Sequence, residues 1–276
     1  MLDFILNEVK DTDSFPDRTA LLHTLKLGNP VIYYQPQLNT TTEEIIGMEA
    51  LVYWKHPQFG LLPAHKFIPL AEETGLITPI NEWVLKTACA QCKVWHDAGF
   101  SHLKVAVNIF EKQFQQPNFL ENLKHILLQT GLSPQFLQLE ICERLMVHNI
   151  ENNPLILEKL HQMGVNLSID NFGTGYSSFS HLKTFPIANI KIDQTFINEV
   201  MPNSKDFGII NAIIILAKGL NINVIAQGVK TEAQKKLLQT LNCEQMQGYL
   251  FSKPLLFEET NYFLQNSWLT LDKNYS

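Results

Sequence analysis

Between residues 31 and 250 the chain alternates short apolar runs with stretches whose hydrophobic positions recur at helical spacing. Val31–Leu38 and Ile45–Trp54 read as strands, and the turn-forming residues 39–42 between them predict an opening hairpin. Ala64–Thr74 and Pro79–Ala98 read as helices closed by Gly75 and Gly99. Further strands are expected at Lys104–Ile109, Phe136–Glu140, Val165–Asp170, Asn189–Asp193, Ile222–Ala226 and Gln245–Leu250. Helices fit between them near 117–130, 152–163, 176–184, 206–220 and 231–241, with a last one near 257–267. Alternating β and α units imply a parallel sheet with right-handed crossovers. Eight strands in this span favour a closed TIM-type (β/α)8 barrel, its first strand antiparallel through the hairpin, over a doubly wound sheet.

Residues 1–28 carry no strand signal, and Thr19–Leu27 fits a short amphipathic helix. The expected division is an extension or connector over 1–18, one domain over 19–268 and a tail over 269–276. Hydrophobic residues make up 45% of the 276 and charged residues 17%, enough for a sizeable core. The formal charge is −6 and no Lys/Arg run stands out, which argues against a nucleic-acid polymer as partner. An acidic chain can still hold an anion through bound metal ions. The apolar run Ile209–Ala217 is too short for membrane insertion, and no basic segment followed by an apolar core opens the chain. A cytoplasmic protein is expected. Cys89 and Cys92 have metal-like spacing, but they fall inside a helical pattern with no second pair, so packing is the expected role. The run Phe207–Leu220 reads as core, because amphipathic barrel helices bury one face.

Chemistry gathers at the strand ends. Glu49 lies in the second strand, Asn108 ends the third and Glu140 the fourth. Asp170 and Asn171 end the fifth, Lys191 lies in the sixth, Gln227 follows the seventh and Gln247 lies in the eighth. In a barrel such positions converge on one face, where loops build an active site. Asp170 alone is balanced between capping a turn and function. Glu49 and Lys191 are harder to assign to packing, since a charge inside an apolar strand is costly unless paired or metal-bound.

These residues sit in motifs. Glu49-Ala50-Leu51, the run Phe67-Ile68-Pro69-Leu70-Ala71-Glu72-Glu73-Thr74-Gly75-Leu76, and Asp170-Asn171-Phe172-Gly173-Thr174-Gly175-Tyr176-Ser177-Ser178 occur in order. Lys191-Ile192-Asp193 and Gln247-Gly248-Tyr249 follow them. Together they resemble the bacterial EAL family over about residues 19 to 265. The resemblance implies hydrolysis of one phosphodiester bond of cyclic di-GMP with two Mg²⁺ or Mn²⁺ ions. By position it implies that Glu49, Asn108, Glu140 and Asp170 are first-metal ligands, an all-oxygen set suited to a hard cation. It implies that Lys191 helps hold water and phosphate, that Gln247 lies near substrate, and that Glu143 steadies the loop after the fifth strand. Pairing of two copies near that loop is implied too.

At four positions the chain departs from the family's pattern. Asn171 stands where the resemblance implies a second-metal aspartate. Gln227 and Lys230 stand in place of two glutamates, the first a general-base candidate and the second a support of the metal centre. Tyr53 replaces an arginine that grips a substrate phosphate. An amide at 227 cannot take a proton, and general-base catalysis is worth roughly 10²–10⁴-fold. The simple charge sum around the site shifts by about +3 relative to the family. The expectation is at most one bound metal and a catalytically impaired regulatory domain, holding cyclic di-GMP or an unidentified protein. A slow metal-dependent phosphodiesterase is the alternative.

Overall fold

The computed structural model describes residues 30–56, 59–143, 145, 155–174 and 179–271. The expected helix at Thr19–Leu27, the terminal extension, residues 272–276 and Gly175 to Ser178 of the signature loop lie outside them. The opening hairpin pairs β1 (Pro30–Asn39) with β2 (Glu44–His56), antiparallel. Asn39 makes the turn, its Oδ1 accepting from the backbone N–H groups of Thr41 at 2.9 Å and Thr42 at 3.2 Å.

A short β3 (Gly60–Pro63) adds to the outer edge of β2, and α1 (Ala64–Thr74) and α2 (Ile77–Asp97) follow. Then come β4 (Lys104–Ile109), α3 (Glu111–Phe114), α4 (Phe119–Thr130), β5 (Leu137–Cys142) and α5 (Leu155–Gln162). The rest is β6 (Asn166–Phe172), α6 (Phe179–Thr184), β7 (Asn189–Ile192), α7 (Gln194–Asn198), α8 (Lys205–Gly219), β8 (Asn223–Gln227), α9 (Glu232–Thr240), β9 (Gln245–Gln247) and α10 (Phe257–Leu271).

Strands β4 to β9 run parallel in sequence order, β2 joins β4 in parallel, and β1 closes the cylinder between β9 and β2. This is a (β/α)8-type barrel whose first strand is antiparallel to both neighbours. The closing seam is narrow. Only Leu38↔Met246 and Asn39↔Gln245 pair across β1 and β9, supplemented by Thr40 N–H on Glu244 O and the Tyr34↔Leu255 bridge.

Each strand sends alternate side chains to opposite faces. Met48, Leu139, Leu167, Ile169, Ile190 and Met246 are fully buried against the helices. The inward set is polar: Gln37, Glu49, Gln138, Glu140, Lys191 and Gln247 are all buried. Barrels of this class usually fill that space with branched aliphatics. Here the apolar layer lies outside the sheet and a hydrogen-bonded polar column lies inside.

Several expected bounds move for local reasons. A 3₁₀ turn at Pro134–Phe136 delays β5 to Leu137, and β9 stops at Gln247 because Gly248 packs against the backbone of Val229. A Cβ on Gly248 would lie 2.1 Å from Val229 O, so no other residue fits. Helix α8 buries one face, as expected of a barrel helix, but leaves large apolar residues off that face. Ile210, Ile213, Ile214 and Ala217 are buried as foreseen for a core helix, yet Ile209 and Ile215 on its other side are 41% and 63% exposed. Cys89 and Cys92 are buried on α2, where the Cys92 thiol meets Leu103 O at 3.5 Å. Among the described residues, no helix is long and apolar enough to cross a membrane.

Candidate active site

The centre of the polar column is Lys191 on β7, with no solvent exposure. Its ammonium donates to Glu49 Oε2 at 2.8 Å and Glu140 Oε2 at 2.5 Å, and lies 3.5 Å from Asp170 Oδ1. Strands β2, β5 and β6 therefore deliver one carboxylate each to one cation on β7. Asn108 Nδ2 donates to Glu49 Oε1 at 3.0 Å, and Gln247 Nε2 donates to Glu49 Oε2 at 2.6 Å. Gln138 and Gln37 donate to Glu140 Oε1 at 3.2 and 3.5 Å. Gln37 also donates to Gln247 Oε1, and Gln247 to Gln35 Oε1.

A β-bulge sets the upper rim. The β6–β7 register shifts between Ile169 and Phe172, and Asn171 adopts φ 55°, a left-handed conformation that asparagine tolerates. The extra residue lets Asp170 and Asn171 both serve the mouth. Asp170 Oδ1 accepts from Gln227 Nε2 at 2.9 Å, and Oδ2 accepts from Asn171 Nδ2 at 2.9 Å. An ionised carboxylate only accepts, so both amides must turn their N–H ends toward it. Every oxygen of the three carboxylates thus already has an N–H donor.

Three carboxylates around one ammonium do not balance. Burial raises the Glu49 pKa, but Lys191 and the donors Gln247 and Asn108 outweigh it and hold the group below its usual value. Glu140 is pushed well above its usual value by burial and by Glu49 and Asp170, against the pull of Lys191. Asp170 is raised by burial, which with Glu49 prevails over Lys191 and the Gln227 bond. Burial disfavours the Lys191 charge, yet its three carboxylate neighbours hold its pKa above the ordinary lysine value.

Above the column opens a cavity of about 350 Å³. Glu49, Asn171 and Gln227 form part of its lining, with Tyr53, Tyr249 and Lys230 on the walls. Tyr53 meets Tyr33 edge-on at 4.8 Å, and burial, then Tyr249, Tyr33 and Glu49, push its pKa up to about 12. It is a neutral phenol at neutral pH. Lys230 Nζ donates to Asn198 Oδ1 at 2.9 Å. Glu143 lies under the signature loop, its Oε2 accepting from Gly173 N at 3.2 Å, Thr174 N at 3.1 Å and Thr174 Oγ1 at 3.4 Å.

The structure brings Glu49, Asn108, Glu140, Asp170, Asn171, Lys191, Gln227 and Gln247 into one network, and Tyr53 and Lys230 to the cavity above it. The glutamines Gln35, Gln37 and Gln138 were not foreseen. Their signal was present, since Gln35 and Gln37 are two apart on β1 and Gln138 is two before Glu140.

The donor chemistry of Glu49, Asn108, Glu140 and Asp170 fits one hard divalent cation. A second is a poor fit, because Asn171 and Gln227 offer amides whose N–H ends are committed to Asp170 and Lys230 carries a positive charge. Among the described residues, no three acidic, cysteine or histidine side chains stand arranged to hold a metal ion, because the carboxylates close on Lys191 instead. Gln227→Glu is expected to destabilise the metal-free protein by about 1–3 kcal/mol, since a carboxylate then replaces a donor facing Asp170. Added Mg²⁺ or Mn²⁺ should restore the loss. Denaturant midpoints with and without chelator measure both, and an unchanged midpoint would remove the role given to this amide.

Comparison with known proteins accords with this geometry. The pattern of the family described as the EAL domain matches residues 18–254. The chain is 41% identical over 247 residues, 88% of its length, to the bifunctional diguanylate cyclase/cyclic di-GMP phosphodiesterase MucR of Pseudomonas aeruginosa, covering 36% of that protein. It spans about a third of the length of the curated relatives it matches. The solved structure of the MucR phosphodiesterase in complex with c-di-GMP superposes with a TM-score of 0.84 over 88% of this chain and 98% of that one. A manganese/cy-diGMP complex of Klebsiella pneumoniae BlrP1, 25% identical, superposes at 0.72 over 83% and 57%. The chain belongs to the EAL domain family.

Proposed function

We propose that this chain is a catalytically impaired EAL domain that acts in cyclic di-GMP signalling as a nucleotide-binding or protein-contacting regulatory module. The observation that carries the reading is the pair of amides on Asp170. Where the resemblance implies carboxylates that a cation must bridge, Gln227 and Asn171 donate to Asp170 themselves. The acidic cluster is thereby satisfied without metal, at the cost of the chemistry.

A divalent cation, when bound, supplies Lewis-acid polarisation of a phosphoryl oxygen and a more acidic water. Glu49, Asn108, Glu140 and Asp170 are the residues that would hold it, and one site is the most this set supports. Gln227 holds no exchangeable proton vacancy, so no group at that position can accept one from water. Tyr53 offers a single hydroxyl where the planar fork of an arginine would match two phosphate oxygens. Lys191 is fully engaged with carboxylates and lies below the cavity rather than in its lining. Exposed Ile209 lies one turn before Ile213, which approaches Gly173 of the signature loop, and offers an apolar contact there to a second copy of the chain.

The alternative is a slow metal-dependent cyclic di-GMP phosphodiesterase, supported by the intact first-cation set and the activity named for the relatives. Product analysis with cyclic di-GMP and excess Mg²⁺ or Mn²⁺ separates the two. The expected result is no linear dinucleotide beyond one equivalent of protein. Multiple turnovers with Mn²⁺ at alkaline pH that vanish in Glu49→Ala would establish the alternative instead.

A further inference from the structure

Among the described residues, the cavity lining contains one carboxylate, Glu49, and one cation, Lys230. Beneath the floor Lys191 is spent on three carboxylates, a cluster that carries net negative charge whenever at least two of them are ionised. A phosphodiester arriving there meets the Glu49 carboxylate, which is held below its usual value, while Lys191 is not free to pair with it and Tyr53 brings no charge. Either a divalent ion or Lys230 must offset the ligand's charge.

Lys230 is built for that task. Its backbone is fixed: Lys230 N and Thr231 N both donate to Gln234 Oε1, at 2.8 and 3.1 Å, and Thr231 with Gln234 forms the capping box of α9. Gln234 Nε2 in turn donates to Ile197 O and Asn198 O at the end of α7. The base of the side chain is therefore anchored while its ammonium rests on a neutral acceptor, Asn198 Oδ1. The bond to Asn198 is charge-assisted through the donor alone, whereas a phosphate oxygen adds the charge of the acceptor. Exchanging Asn198 for a phosphate oxygen therefore favours the bound state, and the side chain starts from an anchored backbone in the cavity lining.

We propose that Lys230 is the phosphate-gripping residue of this cavity, and that it lets the chain bind the phosphodiester of a cyclic dinucleotide without a divalent cation. Relative to the pattern the resemblance implies, positive charge has moved within the cavity lining from position 53 to position 230. The inference rests on the nucleotide-binding form of the proposed function.

Calorimetry with cyclic di-GMP, in chelator and in Mg²⁺, tests it on the full chain. Wild-type affinity is expected to agree within about twofold between the two conditions. Lys230→Met should weaken binding by about 10-fold, the loss of one charge-assisted bond. It should also make the affinity less sensitive to salt, because one screened charge pair is lost. Lys230→Arg should retain binding, and unchanged melting temperatures exclude a folding effect. Wild-type binding that vanishes in chelator, or that Lys230→Met leaves intact, overturns the role of Lys230 while leaving the proposed function standing. No wild-type binding in either condition overturns the nucleotide-binding reading itself.

Discussion

Lys191→Met is expected to cost about 3–5 kcal/mol of unfolding free energy at neutral pH, because it leaves the buried Glu49 and Glu140 and the partly buried Asp170 without their cation. The methionine fills most of the volume, so the loss is electrostatic rather than a cavity effect. The pH dependence carries a sign that identifies the cause. In the native protein Lys191 helps hold Glu49 below its ordinary value of 4.5, a contribution present above that value and lost as pH falls through the lowered one. In the variant burial and the repulsion among the carboxylates prevail over the remaining amide donors and raise the carboxyls. A raised acid stabilises below its ordinary value and loses that contribution as pH rises through the raised one. The deficit should therefore be smallest in acid and open as pH climbs past about 4.5. Glu140→Gln in the same background should recover part of it by removing one charge. Denaturant unfolding across pH reads all of this. A deficit that stays below about 1 kcal/mol at neutral pH, or that shrinks with rising pH, would show that the cluster is held by something other than the ammonium.

The second large effect is a gain. Tyr53→Arg, Asn171→Asp, Gln227→Glu and Lys230→Glu introduced together are expected to produce multiple turnovers of cyclic di-GMP in Mg²⁺ or Mn²⁺. The base alone should raise the rate roughly 10²–10⁴-fold above the wild-type background. The other changes return a bidentate phosphate clamp and the carboxylates of a second cation. Activity should arrive together with a dependence of folding on metal, because the reversed site holds acceptors where the native one holds donors to Asp170. A well-folded quadruple variant that stays inert would show that these positions do not correspond to the family's catalytic ones.

The barrel was legible because its outer layer is written as β-branched and leucine-rich runs between helical repeats, and Glu49 and Lys191 stood out as charges inside such runs. The glutamine layer did not stand out. On β1 the alternation of Gln35 and Gln37 with apolar neighbours reads as a strand with its polar face in solvent, and only closure of the cylinder turns that face inward. The four-residue β3 and the single-turn helices α3 and α7 are too short to show a period. The bonds from Gln227 and Asn171 to Asp170 depend on a bulge and on the direction of two amides, neither of which a residue string encodes. On α8 apolar residues run most of the way round the helix, so the string does not show that Ile209 and Ile215 are the ones left exposed.

The two-pair joint between β1 and β9 has a consequence for how the cylinder breathes. Its staves are unevenly hooped, with ten partners linking β1 to β2 but only two linking β1 to β9. Thermal opening should begin at that slit, and it lies beside Gln35 and Gln247, whose amides bridge it. Amide protons along β9 should accordingly exchange ahead of those on β5 and β6. The first gap to admit water would then lead straight to the buried acids.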